Sequence, residues 1–493
     1  MTPTSTTSTD PHQSRRWLIL AVLGLAQLMV VLDATIVNIA LPSAQQDLGF
    51  SDASRQWIVT AYALAFGSLL LLGGRIGDLF GRKWVFVAGL IGFAVASALG
   101  GAAQSFGLLV GARALQGVFG ALLAPAALSL LTTTFTEPSE RNKAFGVFGA
   151  IAGSGAAAGL LLGGILTEYL SWRWCLYVNL AFAGVAVFGA LSLLTNSRPQ
   201  DTPQLDIPGT ITASAGLFSL VYGFSHAAQT SWSNPTTIGF LIAGVVLIAA
   251  FLWLQQRVAH PLLPLRVILD RDRGGSYLAV GLSGIAIFGV FLFLTFYLQQ
   301  NLGLSPVKTG LAFLPMTFAI MLSATISQTK LLPKVGPRRL VGTGLVLGAI
   351  GMLYLTGIGA NSSYWTHVFP ALLILGVGFG LIFAPAISSA TLGVEPKDAG
   401  VASAMVNTMQ QIGGSIGTAL LSTLAASATT SYLSGKGQPN PELLAQAAVH
   451  GYTTAFYWAA GIFVIAAVAC TALLRPGVPA GERVGAGAPA MAH

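Results

Sequence analysis

The sequence predicts an all-α integral membrane protein with 14 transmembrane helices: two pseudo-symmetric six-helix halves and an inserted two-helix hairpin. Three observations carry that reading. Of 493 residues, 54% are hydrophobic and 8% charged, whereas soluble domains carry about 25% charged residues. Fourteen apolar segments each approach the roughly 20 residues that span a bilayer. The chain also repeats itself: "VFGALLAP" (118–125) returns as "GFGLIFAP" (378–385), and "FGRKWVFVAGL" (80–90) resembles "VGPRRLVGTGL" (335–345), at offsets of 260 and 255.

In chain order, residues 1–16 are polar and are expected to be disordered and cytoplasmic. The apolar run that follows is too long for a signal-peptide core and carries no small-residue cleavage site where one belongs. The spans are 17–41, 56–73, 84–103, 107–134, 144–167, 173–194, 207–227, 235–256, 275–299, 307–329, 339–358, 366–392, 400–427 and 452–474. The repeats fall on spans 4 and 12 and on the loops before spans 3 and 11. That makes 17–195 the first half, 196–260 the hairpin and 261–475 the second half. Repeated helical halves with a site between them are the architecture of secondary transporters. Residues 428–451 form the longest loop, and 476–493 are expected to be a disordered cytoplasmic tail. Cys175 and Cys470 lie far apart in apolar runs, as free buried thiols do.

Charge sets the orientation. With the N-terminus inside, 19 of the 24 Lys and Arg fall in cytoplasmic segments, 4 fall outside, and Arg113 sits within span 4. That split follows the positive-inside rule. Both termini are then cytoplasmic, in a multi-pass protein of a bacterial inner membrane. The net charge of +8 is scattered over short loops and gives no case for nucleic acid. The expected partners are the lipid bilayer and a small hydrophobic substrate, with the chain acting as a monomer.

Asp33 interrupts span 1 in "LDATIVNIALP" (32–42). An intramembrane carboxylate is a functional-site hypothesis by default. At 1.5 Å per residue it lies about 12 Å below the outer end of its span, and Arg113 lies about 9–11 Å below the outer end of span 4. Acid and base at like depth are expected to pair. Arginine keeps its proton, so Asp33 is the group that can titrate.

The substrate site is expected near the midplane. Its candidates are Gln27 and Asn38 in span 1, Asn407, Gln410 and Gln411 in span 13, Phe288, Phe291 and Tyr297 in span 9, and Met316 in span 10. Asn407 and Gln411 share a helical face. Amides among aromatics and methionines make an adaptable apolar site.

Three motifs resemble the major facilitator superfamily. "GRIGDLFGRK" (74–83) matches its G-x-x-x-D-x-x-G-R-K loop through Gly74, Asp78, Gly81, Arg82 and Lys83. "LDATIVNIALP" looks like the first-helix signature of the fourteen-helix drug:proton antiporter branch. "RALQGVFGA" (113–121) looks like the fourth-helix motif R-x-x-Q-G, with Arg113, Gln116 and Gly117. The resemblance implies a proton-driven exporter of hydrophobic drugs or antibiotics, with protons as the coupling ion and no other cofactor. It implies that Asp33, Arg113 and Gln116 couple the proton, and that the 2–3 loop latches the halves on the cytoplasmic side. It also implies that the glycines of span 5, Gly155, Gly159, Gly163 and Gly164, pack at the interface between halves. The family's G-P-x-x-G-G reads "GLLLGG" here, with Leu160 in place of proline. A symporter or lipid translocator on the same fold is the alternative. A membrane enzyme lacks support, because the sequence shows no acidic metal-pyrophosphate motif, histidine cluster or serine-nucleophile signature.

Overall fold

The fold is given by a computed structural model. It describes residues 11–477 apart from 52–53, 136, 197–205, 260, 393, 395–398, 435 and 437–439. The disorder expected at 1–10 and 478–493 lies outside the described residues.

The chain folds into long helices: α1 (Pro11–Leu48), α2 (Gln56–Phe80), α3 (Arg82–Gly101), α4 (Phe106–Thr134), α5 (Pro138–Tyr169), α6 (Trp174–Leu193), α7 (Ile207–Gln229) and α8 (Pro235–Gln255). They continue with α9 (Arg271–Phe296), α10 (Pro306–Ile326), α11 (Pro337–Leu355), α12 (Phe369–Thr391), α13 (Ala399–Leu433) and α14 (Pro441–Leu473). Among the described residues, twelve candidate spans are long and apolar enough to cross a membrane. The other two helices, α2 and α5, carry shorter apolar stretches at Gln56–Leu70 and Ala158–Tyr169. There is no strand among the described residues.

Side-chain caps set many of the helix starts. Ser105, Asp206, Asn234, Asp270, Ser305 and Asn440 each accept from a backbone N–H of the following first turn, satisfying donors the helix cannot. Gly81, with φ of 95°, makes the turn between α2 and α3, a conformation that favours glycine. Several helices run on past the apolar core. So α1 starts at Pro11 rather than 17, α2 carries Gly74 and Asp78 on its last turns, and Glu442 sits in the first turn of α14. The loop expected at 428–451 shrinks to the few residues between Leu433 and Pro441.

Packing repeats across the chain. In the first six helices α2 packs on α4, α3 on α4 and α6, and α1 on α4, α5 and α6. In the last six α10 packs on α12, α11 on α12 and α14, and α9 on α12, α13 and α14. The two largest crossings between these sets are α2 with α13 and α5 with α10, and the eight-helix shift that relates the sets exchanges one for the other. Glycines bring the backbones together, as small residues do between membrane helices. A Cβ on Gly73 would strike the Ala121 carbonyl of α4, and one on Gly413 would strike the Gly281 carbonyl of α9.

The hairpin stands beside this body. Its α7 packs on α8, α2 and α13, while Ile242, Val245 and Val246 of α8 are exposed apolar surface. Buried Asp206 ties the hairpin's ends: it caps Gly209, accepts from Gln255 Nε2 at 2.6 Å and accepts from Leu262 N at 3.4 Å.

Candidate proton site and substrate cleft

The site begins with one carboxylate that cannot be left alone. Asp33 of α1 is fully buried, as are Arg113 and Gln116 of α4. Arg113 Nη1 donates to Asp33 Oδ2 at 2.5 Å and to Gln116 Oε1 at 2.8 Å. Gln116 Nε2 donates to Asp33 Oδ1 at 2.9 Å and to Ser97 Oγ of α3 at 2.7 Å. Asn179 of α6 donates to Asp33 Oδ1 at 2.8 Å and to Ser97 Oγ at 3.3 Å. Arg113 is also held by the Ile58 carbonyl at 3.2 Å and lies 4.5 Å from the centroid of the Tyr62 ring. A buried ion pair is tolerable only when its remaining donors and acceptors are met, and here the surrounding helices meet them.

The three residues expected to couple the proton are therefore in direct contact. Ser97 and Asn179 complete the network and were not anticipated. Their signal was weak: each is an uncharged polar residue in an apolar span, a type that commonly bonds its own helix. The partners come from α3, α4 and α6, so the carboxylate points into its own half. A small cavity beside Arg113, lined by Val37, Leu41, Ala44, Leu109, Trp172 and Cys175, lies on the side toward Arg173.

The expected substrate residues divide. Asn407 is exposed, and Gln27, Gln410 and Gln411 are half-buried. A Cβ on Gly67 of α2 would lie 3.2 Å from Gln411 Cβ, so this face of α13 meets the other half. Asn407, one turn away, is exposed. Phe288 packs over Gly414, and Phe291 lies 5.2 Å from Phe313. Three expected residues sit within the packing. Asn38 is 4% exposed and bonds the Ala34 carbonyl of its own helix. Tyr297 is fully buried and donates to the Gly359 carbonyl at 2.8 Å. Met316 is fully buried against Gly376. In this structure these three fill the packing between helices.

The glycines of α5 are corrected. Gly155, Gly159 and Gly163 face Leu28, Val31, Leu32, Thr35 and Ile36 of α1, within one half. Only Gly164 meets the other half, at Pro306 and Val307 of α10, and Gly310 approaches the Leu160 carbonyl in return. At 3.6 residues per turn, 155, 159 and 163 form one stripe and 160 and 164 the next. Leu160, where the resemblance calls for proline, thus lies at the interface beside Gly164.

At the bundle end that holds Arg173, the halves are joined. Gln299 donates to the Ile39 carbonyl at 3.1 Å, and Val307 N donates to Glu168 Oε2 at 2.9 Å. Hydrogen bonds from Ser305 and Val307 N hold the Glu168 carboxyl below its usual range, with Lys308 adding to the effect. At the opposite end, Lys83 donates to the carbonyls of Leu191 and Leu194, closing the end of α6. Arg82 is half-buried. The Asp78 side chain, on which the expected latch depends, lies outside the described residues.

Comparison with known proteins fits this geometry. The family model "Major Facilitator Superfamily" matches residues 23–418. The chain is 48% identical to the puromycin resistance protein pur8 of Streptomyces alboniger, over 98% of this chain and 96% of that one. It is 34% identical to the tetracenomycin C resistance and export protein of Streptomyces glaucescens, over 84% and 77%. Among solved structures, the fold resembles a bacterial homolog of the human lysosomal transporter Spinster, inward-facing and unoccupied. The TM-score is 0.67 at 17% identity, covering 95% of this chain and 98% of that one. With a matching family model over most of its length and full-length relatives among antibiotic resistance proteins, the chain is a multi-pass membrane transporter, not an enzyme, and belongs to the major facilitator superfamily.

Proposed function

We propose that the protein is a proton-coupled antiporter that exports hydrophobic neutral or singly charged antibiotics by alternating access. In this reading all fourteen long helices cross the membrane. The halves are 17–195 and 261–475, the Lys83 end is cytoplasmic, and the site residues work in a monomer. The observation that carries it is the buried Asp33–Arg113 pair, held by Gln116, Asn179 and Ser97. A carboxylate so placed is maintained at a cost that packing alone does not explain.

Protonating Asp33 removes its charge while Arg113 keeps its own. The attraction between α1 and α4 then weakens, and Arg113 retains Gln116 and the Ile58 carbonyl. Movement of α1 carries α5, whose Gly155, Gly159 and Gly163 stripe packs on it. The adjacent stripe of α5, Leu160 and Gly164, is the contact with α10. Proton and substrate therefore need not compete for one carboxylate, because coupling runs through helix positions.

Everted membrane vesicles test this. Puromycin, named in the relative at 48% identity, is the first compound to supply. An acid-inside gradient should drive its uptake in wild type, and Asp33→Asn should abolish that uptake while leaving folded protein in the membrane. Undiminished uptake by Asp33→Asn would exclude Asp33 as the proton site. Accumulation in the opposite vesicle orientation would favour a symporter. For the cytoplasmic latch, Asp78→Asn should lengthen distances between labels on the ends of α2 and α11.

A further inference from the structure

The closure at the Arg173 end depends on two adjacent residues whose chemistry is opposed. Arg55, just before α2, is 6% exposed. Its guanidinium lies 3.9 Å from the centroid of the Phe296 ring and 5.8 Å from that of Tyr452, both in the other half. A desolvated cation over an aromatic face is attracted by the ring's quadrupole, and Arg is the commoner partner. This contact exists only while the halves meet.

Gln56, the next residue, is fully buried, and neither atom of its amide has a hydrogen-bond partner among the described residues. Thr60, one turn on, is also fully buried with an unpartnered hydroxyl. Residues 56, 60, 63 and 67 share one face of α2, and Gly67 on that face meets Gln411 of α13. Ser422 stands as far beyond Gln411 as Gln56 stands before Gly67, on a helix running the other way. Its buried hydroxyl is unpartnered too. Burying a polar group without a partner is unfavourable. Separation of α2 from α13 would return these groups to water.

We propose that Arg55 and Gln56 together set the balance of the alternating-access equilibrium: Arg55 stabilises the closed Arg173 end, and Gln56 destabilises it. One turn beyond Arg55, the Ile58 carbonyl holds Arg113. The turn that bears the closure is therefore also bonded to the partner of Asp33.

This inference rests on the alternating-access reading above, and the experiment separates the two. Spin labels at Tyr169 and Lys308, exposed residues on facing helices of the two halves, report the distance across the closure in nanodiscs. Arg55→Ala should raise the ratio of long to short distances roughly tenfold, the factor that about 1.4 kcal/mol makes. Gln56→Leu, which removes the buried amide and keeps the volume, should lower it by a similar factor. Phe296→Leu should reproduce Arg55→Ala, and it answers the question if Arg55→Ala does not fold. Unchanged distances in both Arg55→Ala and Phe296→Leu overturn the role of Arg55. A Gln56→Leu shift toward long distances overturns the role of Gln56. If pH and puromycin also leave the wild-type distribution unmoved, alternating access itself fails.

Discussion

At the scale of single residues, Asp33 shows how one charge organises four helices. Its carboxylate accepts from Arg113, Gln116 and Asn179, and removing any donor leaves a buried acceptor short of a partner. Arg113→Ala leaves the carboxylate unpaired and should destabilise the protein by about 3–5 kcal/mol. Asp33→Asn added to Arg113→Ala should recover much of that loss, since no buried charge remains. Thermal unfolding in detergent reads both. Asn179→Leu should cost about 1.5–3 kcal/mol, the range for a hydrogen bond to a charged group, and melting at Arg113→Ala and Asn179→Leu that matches wild type would remove the network's structural role. Asp33 and Arg113 were legible in the sequence because charges in apolar spans stand out. Asn179 was not, and Asn38 shows why. Both are asparagines in apolar helices, yet Asn38 bonds the Ala34 carbonyl one turn back while Asn179 reaches across to α1. Composition is the same in the two cases, and only the direction of the side chain differs.

At the scale of elements, α5 separates two kinds of contact by one residue. Gly159 faces Thr35 and the Leu32 carbonyl of α1, whereas Gly164 faces Pro306 and Val307 of α10. A side chain at either position meets backbone, but only the second contact is between halves. Gly159→Val should therefore destabilise the first half by about 1–3 kcal/mol, as overpacking does. Gly164→Val should leave melting near wild type and instead lengthen the Tyr169–Lys308 distance. Equal melting losses in the two variants would show that both stripes are internal to one half. Hydropathy made the helices and the repeat legible from sequence, because lipid forces every span to satisfy its own backbone. It did not show that α1, α13 and α14 run well past their apolar cores, since apolar residues do not mark helix outside the bilayer; at α14 the mark is a polar cap, Asn440. Nor did it show which glycine stripe faces which neighbour, because a small residue marks close approach without naming the partner.

At the scale of the whole molecule, charge placement governs both the closure and the cargo. Glu168 lies just past the span 144–167 and accepts from Val307 N of the other half. With its pKa lowered in the closed state by Ser305 and Val307, its contribution to closure is fully present above the ordinary carboxylate range and is lost as pH falls from there through the lowered pKa of the closed state. Acid on that face should increase the long-distance fraction in wild type but not in Glu168→Gln. The cargo follows from where the other acids lie. In the second half, Asp270 caps α9, Asp272 and Glu442 sit in the first turns of α9 and α14, and Glu395 and Asp398 lie outside the described residues. Asp33 is enclosed in its own half, with Arg113 already paired to it. In the proposed reading the substrate meets the α13 face near Asn407 and Gln411, which offers amides, and a dication there would lose hydration without a carboxylate in return. With Asp33 as the one proposed proton site, the expected stoichiometry is one proton per cycle. A proton returning down 100 mV releases about 2.3 kcal/mol, enough for roughly a fiftyfold gradient of a neutral compound. Exchange for a neutral molecule moves net charge, and exchange for a monocation does not. Cells producing the protein should therefore tolerate neutral and monocationic antibiotics while remaining sensitive to bis-cationic antiseptics. Vesicle uptake of the neutral compounds should respond to membrane potential more steeply than uptake of the monocations. Strong Asp33-dependent resistance to a bis-cationic compound would require a second carboxylate at the cleft, and Glu395→Gln and Asp398→Asn would then be the variants expected to abolish it.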